Sequence, residues 1–228
     1  MGILIAIEGT DSSGKQTQSE LLYKKLGEMD IKARLISFPA YNSDSSALVK
    51  MYLAGDFGDD PKDVNAYAAS TLYAVDRFAT YRKDWGRDYA DGTVIVADRY
   101  VPSNLIHQAS KLKNDTEKKK FIDWLCELEY EHLELPRPDI TIFLDMPSET
   151  AARLMAERAN KIDNSDKKDI HERNEDYLKK SYDNAKSVAN MLNWSIVKCV
   201  SADGTVRSVD EIHEDIMNIV NYAILSGQ

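Results

Sequence analysis

The sequence predicts an α/β protein built on a mostly parallel β-sheet with helices on both faces. Short runs of apolar, often β-branched residues, which are typical of buried strands, alternate from end to end with longer segments whose apolar residues recur at helical spacing. Between the first apolar run and the first helical segment lies a glycine-rich turn, an order that is typical of phosphate-binding loops. These two observations predict the fold class.

Five short apolar runs are predicted as strands. They cover residues 3–7, 33–38, 93–97, 140–144 and 195–200. The first run meets Glu8 and Gly9, the second is ended by Pro39, and the fourth is followed by Asp145. Because turn-forming or charged residues bound these runs, they have the length of strands rather than of buried helices.

Eight segments are predicted as helices. They cover residues 15–26, 45–53, 63–83, 103–112, 116–133, 148–156 and 172–192, and a last one that begins at Ser208. Pro147 suits the start of the sixth helix, and Ser208 with Glu211 forms a capping box for the eighth. The polar stretch 160–168 is predicted as a surface loop. Because the sequence has no linker, internal repeat or low-complexity tract, we expect a single domain over residues 1–228.

Composition excludes several classes of protein. Hydrophobic residues make up 43% of the 228 residues, which excludes a disordered or collagen-like chain. The 29 Lys and Arg against 38 Asp and Glu give a formal charge of −9, which disfavours non-specific binding to nucleic acid or to anionic membranes. The two cysteines and four histidines have no metal-ligand spacing. With no apolar run of membrane-spanning length and no signal peptide, the sequence predicts a cytoplasmic protein.

The glycine-rich turn has the spacing G-x-x-x-x-G-K. Its nine candidate nucleotide-binding residues are Gly9, Thr10, Asp11, Ser12, Ser13, Gly14, Lys15, Gln16 and Thr17. Glycines let the backbone fold tightly around phosphate oxygens, the following helix adds the partial positive charge of its N-terminus, and Lys15 adds a full charge. The pattern therefore predicts that the loop binds phosphates, and Lys15 is suited to the β- and γ-phosphates of a nucleotide.

One position departs from that pattern. The hydroxyl residue expected after the lysine, which normally binds Mg²⁺, is Gln16, and Thr17 lies about 100° further round the helix. An amide oxygen is a weaker ligand for Mg²⁺ than a hydroxyl that is aimed at it. We expect that Mg²⁺ is still used and is held mainly by the nucleotide and water, with Gln16 as a candidate ligand.

An acidic and a basic residue follow the third predicted strand. Asp98 and Arg99 stand where ligands bind in open α/β sheets, beyond the carboxyl ends of the strands. Phosphoryl transfer depends on positioning and charge neutralisation, which a carboxylate for Mg²⁺ and a guanidinium for phosphate supply. Without the glycine-rich loop, the same two residues would be read as an ordinary surface pair.

Seven motifs, in matching order and spacing over roughly residues 3–220, resemble those of the thymidylate kinases. They are residues 9–15, 38–39, 77, 98–100, 103, 138–139 and 144–145. The resemblance implies a three-layer fold of the P-loop NTPase type, with a five-stranded parallel core and a lid. It also implies transfer of the ATP γ-phosphate to dTMP, giving dTDP and ADP, with Mg²⁺ as cofactor and commonly a homodimer.

The resemblance also implies roles for individual residues. In the family, the residue at the position of Lys15 neutralises the donor phosphates, and the one at Asp11 contacts the acceptor 3′-hydroxyl. The residue at the position of Arg99 binds the acceptor phosphate, and the one at Asp98 organises Mg²⁺. The positions that would bind the acceptor's base and sugar are Phe38, Pro39, Tyr73, Arg77, Ser103, Asn104, His107 and Gln108. Tyr73 would stack on the base and Arg77 would hydrogen-bond it, whereas residue type alone would place Tyr73 in the core and Arg77 in solvent.

The lid implied by the resemblance falls within about residues 153–172. The phosphate loop contains no arginine, and some family members place the catalytic cation in the lid instead. Arg158, together with Arg153 at the ATP site, is the candidate for that cation. A solvated, charged helix end is the alternative interpretation.

Two departures from the family leave the acceptor open. Residues 37–41 lack the arginine that many relatives carry there, so that Lys50 is a candidate substitute, and His107 replaces the usual aromatic ring. Either change could relax selectivity among deoxynucleoside monophosphates. A deoxynucleoside kinase is disfavoured because residues 38–40 offer no carboxylate for a 5′-hydroxyl. A nucleotide-binding regulatory protein without kinase activity remains the alternative that Gln16 supports.

Overall fold

A parallel β-sheet of five strands forms the centre of the computed structural model, which describes residues 1–161, 170–171 and 174–226. The strands are β1 (Leu4–Glu8), β2 (Ala33–Ser37), β3 (Val94–Asp98), β4 (Ile140–Asp145) and β5 (Ser195–Lys198). They lie side by side in the order β2-β3-β1-β4-β5, and every neighbouring pair is parallel. The predicted fold class is confirmed.

Helices connect the strands along the described part of the chain. They are α1 (Lys15–Glu28), α2 (Ala47–Ala54), α3 (Ala66–Thr80), α4 (Gly86–Ala90), α5 (Val101–His107), α6 (Asp115–Cys126), α7 (Ser148–Lys161), α8 (Glu175–Met191) and α9 (Val209–Ser226). Short 3₁₀ turns lie at Asp44–Ser46 and Ala109–Lys111, and π-helical turns lie at Tyr81–Trp85 and Glu127–His132. Among the described residues, no helix is long and apolar enough to cross a membrane.

Two apolar layers pack on opposite faces of the sheet, because successive strand residues point to opposite sides. On one face Leu4 and Ala6 of β1 belong to a cluster that includes residues of α5, α6 and α8. On the other face Ile5 and Ile7 pack in a cluster with α1 and α9. The helices therefore cover both faces, as the alternation of strands and helices predicts.

Several predicted helix bounds are wrong. The helix predicted over 63–83 begins at Ala66, because the Asn65 side chain accepts from the Ala68 N–H, and the chain continues after α3 as a π-helical turn to Trp85. The helix predicted over 116–133 changes from α to π at Glu127. The helix predicted from residue 103 begins two residues earlier and ends at His107.

Two further differences concern shorter stretches. α4 is missing from the predicted elements, and β5 ends at Lys198 instead of residue 200. The predicted surface loop overlaps α7 at its start, and its residues 162–168 lie outside the described residues.

Candidate active site

The phosphate loop joins the carboxyl end of β1 to α1. Gly14 stands before α1 with a φ of 88°, a left-handed conformation that a side chain disfavours. A Cβ on Gly9 would come within 2.5 Å of the Ser13 Oγ and 3.1 Å of the Leu144 carbonyl oxygen. Both glycines are therefore required by the geometry of the loop, as its spacing predicts.

Lys15 lies inside this loop rather than in solvent. It is buried, and its Nζ donates to the Thr10 carbonyl oxygen at 2.6 Å. Burial, followed by the nearby charge of Arg99, lowers the pKa of Lys15 to about 8, although Asp11 and Asp98 act in the opposite direction. An amine in this setting is ready to exchange its backbone contact for an anionic ligand.

Three buried oxygens around the loop have no hydrogen-bond partner within the described part of the chain. They are the Thr10 Oγ1, the Ser13 Oγ and the Asp98 Oδ1. Because buried polar atoms in native proteins are nearly always paired, these atoms indicate that a ligand or water completes the site. All three lie at or next to the edge where the strands end.

Arg99 follows β3 in an unusual backbone conformation. Its φ is 67°, which costs free energy for a residue with a side chain. Its Nη2 donates to the Asp11 Oδ1, and its Nη1 lies 3.1 Å from the His107 Nε2. The guanidinium therefore spans the gap between the phosphate loop and α5.

Glu8 is hydrogen-bonded to two residues that follow Arg99 in the chain. Its carboxylate accepts from the Tyr100 N–H at 2.7 Å and from the Ser103 hydroxyl at 2.6 Å. The side chain is fully buried, and this burial raises its pKa to about 7 despite those two donors. In the sequence Glu8 only marks the end of a predicted strand, whereas in the structure it anchors the turn that carries Arg99.

Asp11 is the anionic partner of Arg99. Burial alone would raise the pKa of Asp11, but the positive charges of Arg99 and Lys15 outweigh it and hold that pKa well below its usual range. The carboxylate is therefore ionised at pH 7. It contacts Arg99 directly, and the positive charge of Lys15 is close enough to lower its pKa as well.

One pocket contains every residue that the family resemblance assigns to the acceptor. Those ten residues are Asp11, Phe38, Pro39, Tyr73, Arg77, Arg99, Ser103, Asn104, His107 and Gln108. The same pocket is also lined by Tyr41, Leu53, Tyr100 and His171, which sequence reasoning missed. Residues from six separate parts of the chain thus meet beside the phosphate loop.

The end of the pocket near α3 is built around a buried ion pair. Arg77 donates from Nε and Nη2 to both oxygens of Glu129, at 2.6 and 2.5 Å. Although burial acts to lower it, the pKa of Arg77 is raised by the Glu129 carboxylate. Arg77 is not a solvated charge, and Tyr73 is half-buried at the pocket wall rather than fully in the core.

The opposite end of the pocket contains two stacked histidine rings. The rings of His107 and His171 are nearly parallel, with centroids 6.3 Å apart. Burial and then the charge of Arg99 hold the pKa of His107 well below its usual range, so the ring is neutral. Because arginine can only donate hydrogen bonds, the Nε2 of His107 accepts from Arg99. The single ring proton of the neutral His107 therefore lies on Nδ1. That Nδ1 and the Gln108 Oε1 are buried and unpartnered among the described residues.

The donor set at the strand ends fits Mg²⁺ through Asp98. Mg²⁺ is commonly bound by one or two carboxylates together with phosphate oxygens and water, and Asp98 offers an unpartnered carboxylate oxygen at the phosphate loop. The described residues contain no cluster of three or more metal-ligating side chains. Gln16 is exposed and donates its Nε2 to the Glu20 Oε1 at 2.9 Å, and Thr17 is also exposed.

The structure describes the predicted lid cations only in part. Arg153 is an exposed residue of α7, whereas the side chain of Arg158 and residues 162–169 lie outside the described residues. Lys50, the candidate substitute cation, donates to the carbonyl oxygen of Tyr41 at 2.9 Å, and Tyr41 lines the pocket. Lys50 therefore lies close to the pocket without lining it.

Comparison with known proteins gives consistent matches. The family described as thymidylate kinase matches residues 7–216. A thymidylate kinase from Mycobacterium tuberculosis is 33% identical over 162 residues, which cover 70% of this chain and 73% of that protein. The human thymidylate kinase is 26% identical and covers 98% of this chain and 92% of its own length. A solved structure of thymidylate kinase from Candida albicans has a TM-score of 0.67 and 23% identity, and covers 97% of this chain and 92% of its own.

Proposed function

The chain belongs to the thymidylate kinase family, and from that premise we propose that it transfers the γ-phosphate of ATP to dTMP, giving dTDP and ADP. One observation carries the assignment of its site. A pocket that leads to the phosphate loop collects all ten residues expected for the acceptor. Because the two substrates meet where Arg99, Asp11 and Lys15 converge, the arrangement supports direct transfer between them.

We assign the acceptor phosphate to Arg99. Its guanidinium is a fork of fixed geometry that suits phosphate oxygens, and its Nη groups already face the pocket between Asp11 and His107. Asp11 would accept from the 3′-hydroxyl of the sugar. Tyr73 would stack on the base, and Arg77 and Asn104 would donate to its polar edge.

We assign the donor phosphates to the phosphate loop and Lys15. The backbone amides of the loop and the N-terminus of α1 would bind the β- and γ-phosphates, and Lys15 would neutralise charge that builds up in the transition state. Asp98, with Gln16 as a weaker candidate, would hold Mg²⁺, which when bound neutralises further phosphate charge. Burial of Lys15 strengthens its field at the reacting oxygens because the local dielectric is low.

We propose that residues 153–172 act as the lid and that Arg158 supplies a further cation to the transferring group, with Arg153 at the ATP site. The support is sequence order: both arginines follow β4, and the phosphate loop contains no arginine. A loss of kcat below about tenfold in a folded Arg158→Ala variant would remove Arg158 from this role.

We further propose a cytoplasmic homodimer. The outer face of α3 exposes Tyr67, Val75 and Phe78, which lie on one side of the helix by their spacing. Exposed aromatic and aliphatic side chains on one face are typical of subunit interfaces. Cys126 and Cys199 are unpaired thiols, which fits a reducing compartment.

The test of the activity is ADP release in a coupled assay with ATP and Mg²⁺. The acceptors dTMP, dUMP, dCMP, dAMP, dGMP and thymidine are compared at equal concentration. We expect turnover with dTMP well above that with the others. Turnover with thymidine alone would identify a nucleoside kinase, and ATP binding without any turnover would identify a nucleotide-binding protein without this activity.

A further inference from the structure

A glutamate that does not line the acceptor pocket forms a buried ion pair with an arginine that does. Glu129 is fully buried on the π-helical turn Glu127–His132, which continues α6. Both of its carboxylate oxygens accept from the Arg77 guanidinium, at 2.5 and 2.6 Å. π-helical turns are rare and occur often at functional sites. Here the turn places a carboxylate behind the pocket wall.

The pairing leaves one nitrogen of Arg77 for a ligand. Nε and Nη2 are directed at Glu129, and Nη1 has no acceptor among the described residues. Arg77 lines the pocket while its side chain is 1% exposed, so its remaining donors face the pocket rather than bulk solvent. A guanidinium only donates hydrogen bonds, and a partner at this position must therefore present an acceptor such as a carbonyl oxygen.

A second pocket residue lies near the same carboxylate. Burial raises the pKa of Glu129, and Arg77 and Asn104 both act to lower it, which places the Asn104 amide beside the carboxylate as well. Asn104 also donates from Nδ2 to the Ser70 carbonyl oxygen at 3.4 Å. Glu129 thus hydrogen-bonds to Arg77 and lies near Asn104, and both of these residues line the pocket.

Stability alone does not explain this pair. Removing two charges from water costs free energy that a buried ion pair often fails to recover, and apolar replacements of similar size are frequently as stable. The pair does restrict the guanidinium to one plane, however, and an arginine side chain otherwise has many rotamers. The benefit of such a pair is geometric.

We propose that Glu129 is a positioning residue for base recognition, which fixes Arg77 so that Nη1 donates to a carbonyl group on the base of the acceptor. The inference rests on the proposed function, because it requires a pyrimidine in this pocket. It selects thymine and uracil, which carry a carbonyl at ring position 4, over cytosine, which carries an amino group there. An amino group facing a fixed donor leaves both groups unpaired.

The experiment compares Glu129→Gln with the wild-type chain. Binding of dTMP and dCMP is measured by calorimetry, and kcat and KM for both are measured in the coupled assay. We expect KM for dTMP to rise about tenfold or more, kcat to change by less than about threefold, and the preference for dTMP over dCMP to fall about tenfold or more. A variant that lost kcat and both affinities together, with unchanged selectivity, would show a general loosening of the site and would overturn the proposal.

Glu131→Gln is the matched control. Glu131 lies on the same π-helical turn, but it is exposed and pairs with Arg137 at the surface. We expect wild-type binding and selectivity from this variant. A folded Glu129→Gln with wild-type KM and wild-type selectivity overturns the proposal.

Glu129→Asp covers the case in which Glu129→Gln does not fold. Aspartate keeps the charge but draws the guanidinium back by one methylene, so KM for dTMP and selectivity must shift in the same direction by a smaller factor. A folded Glu129→Asp that matches the wild type in both quantities overturns the proposal. Failure of the proposed function is seen separately, as absence of dTMP turnover by the wild-type chain.

Discussion

Glu8 shows how a single buried carboxylate can make folding depend on pH. Its pKa is raised by burial from 4.5 to about 7. Between these two values the unfolded chain has lost the proton that the folded protein still holds. The contribution of Glu8 is therefore fully present below about pH 4.5 and is lost as the pH rises through about 7.

We expect Glu8→Gln to remove this dependence. Because the side chain is fully buried, the difference in free energy of unfolding between wild type and variant should change by about 3 kcal/mol between pH 4.5 and pH 8, with the wild type losing stability relative to the variant. Urea unfolding at several pH values measures the difference. Parallel pH curves for the two proteins would show that Glu8 does not titrate in this range.

Arg99 depends on the shape of its side chain as much as on its charge. It reaches Asp11 and His107 at once, which one ammonium group cannot do in the same geometry. We expect Arg99→Lys to lower kcat/KM for dTMP about 100-fold while the protein stays folded. Arg87→Lys, at an exposed position on α4, is the control. Equal kinetics for the two variants would contradict the assignment of the acceptor phosphate to Arg99.

The residues that the sequence could not reveal are those whose roles depend on burial. The loop residues and Asp98–Arg99 were recognisable because their spacing is local and their chemistry is specific. Glu8 and Glu129 are glutamates at the end of a strand and in a charged helical segment, positions where glutamate is normally solvated. Only the packing of distant elements makes them internal anchors, and no local pattern records that.

Two glycines, one just before α1 and one within it, allow a matched comparison. Gly14 precedes α1 at a φ of 88°, whereas Gly27 lies within α1 and has no positive φ. A Cβ at either position would meet nothing within 4 Å, so space does not distinguish them. The two positions therefore differ only in backbone conformation.

We expect the two substitutions by alanine to have opposite signs. Gly14→Ala should lower the free energy of unfolding by about 1–2 kcal/mol, because a side chain disfavours the left-handed conformation. Gly27→Ala should raise it by about 0.5–1 kcal/mol, because alanine favours the helix. Denaturant unfolding of both variants measures this. Destabilisation by both would indicate that Gly27 is needed for a reason other than its conformation.

The predicted elements fail where polar groups bond to the nearby backbone. The segment around residue 63 has helical spacing, but Asp63 accepts from the Asp60 N–H and Asp60 accepts from the Lys62 N–H, which forms a turn instead. The π-helical turn after Cys126 keeps the apolar pattern of a helix, so the change of hydrogen bonding leaves no trace in the sequence. Strand order also follows from packing between distant segments.

The proposed dimer interface is the exposed face of α3. Val75 is 46% exposed on that face, so a charge there disturbs the fold little but would disrupt an apolar interface. We expect Val75→Glu to convert a dimer into a monomer in sedimentation or light scattering. Tyr222→Glu, at a more exposed position on α9, should leave the dimer intact. A monomeric wild type would contradict the proposed dimer.

The position of β1 between β3 and β4 has a consequence for synthesis on the ribosome. Ile5–Glu8 pair with residues 140–143, and the Leu4 N–H donates to the Asp139 carboxylate at 2.7 Å. In a nascent chain that ends before residue 139, β1 lacks its β4 neighbour. The phosphate loop that follows β1 is then not supported by a complete sheet. The phosphate loop can therefore reach its final structure only after residues 140–143 have left the exit tunnel.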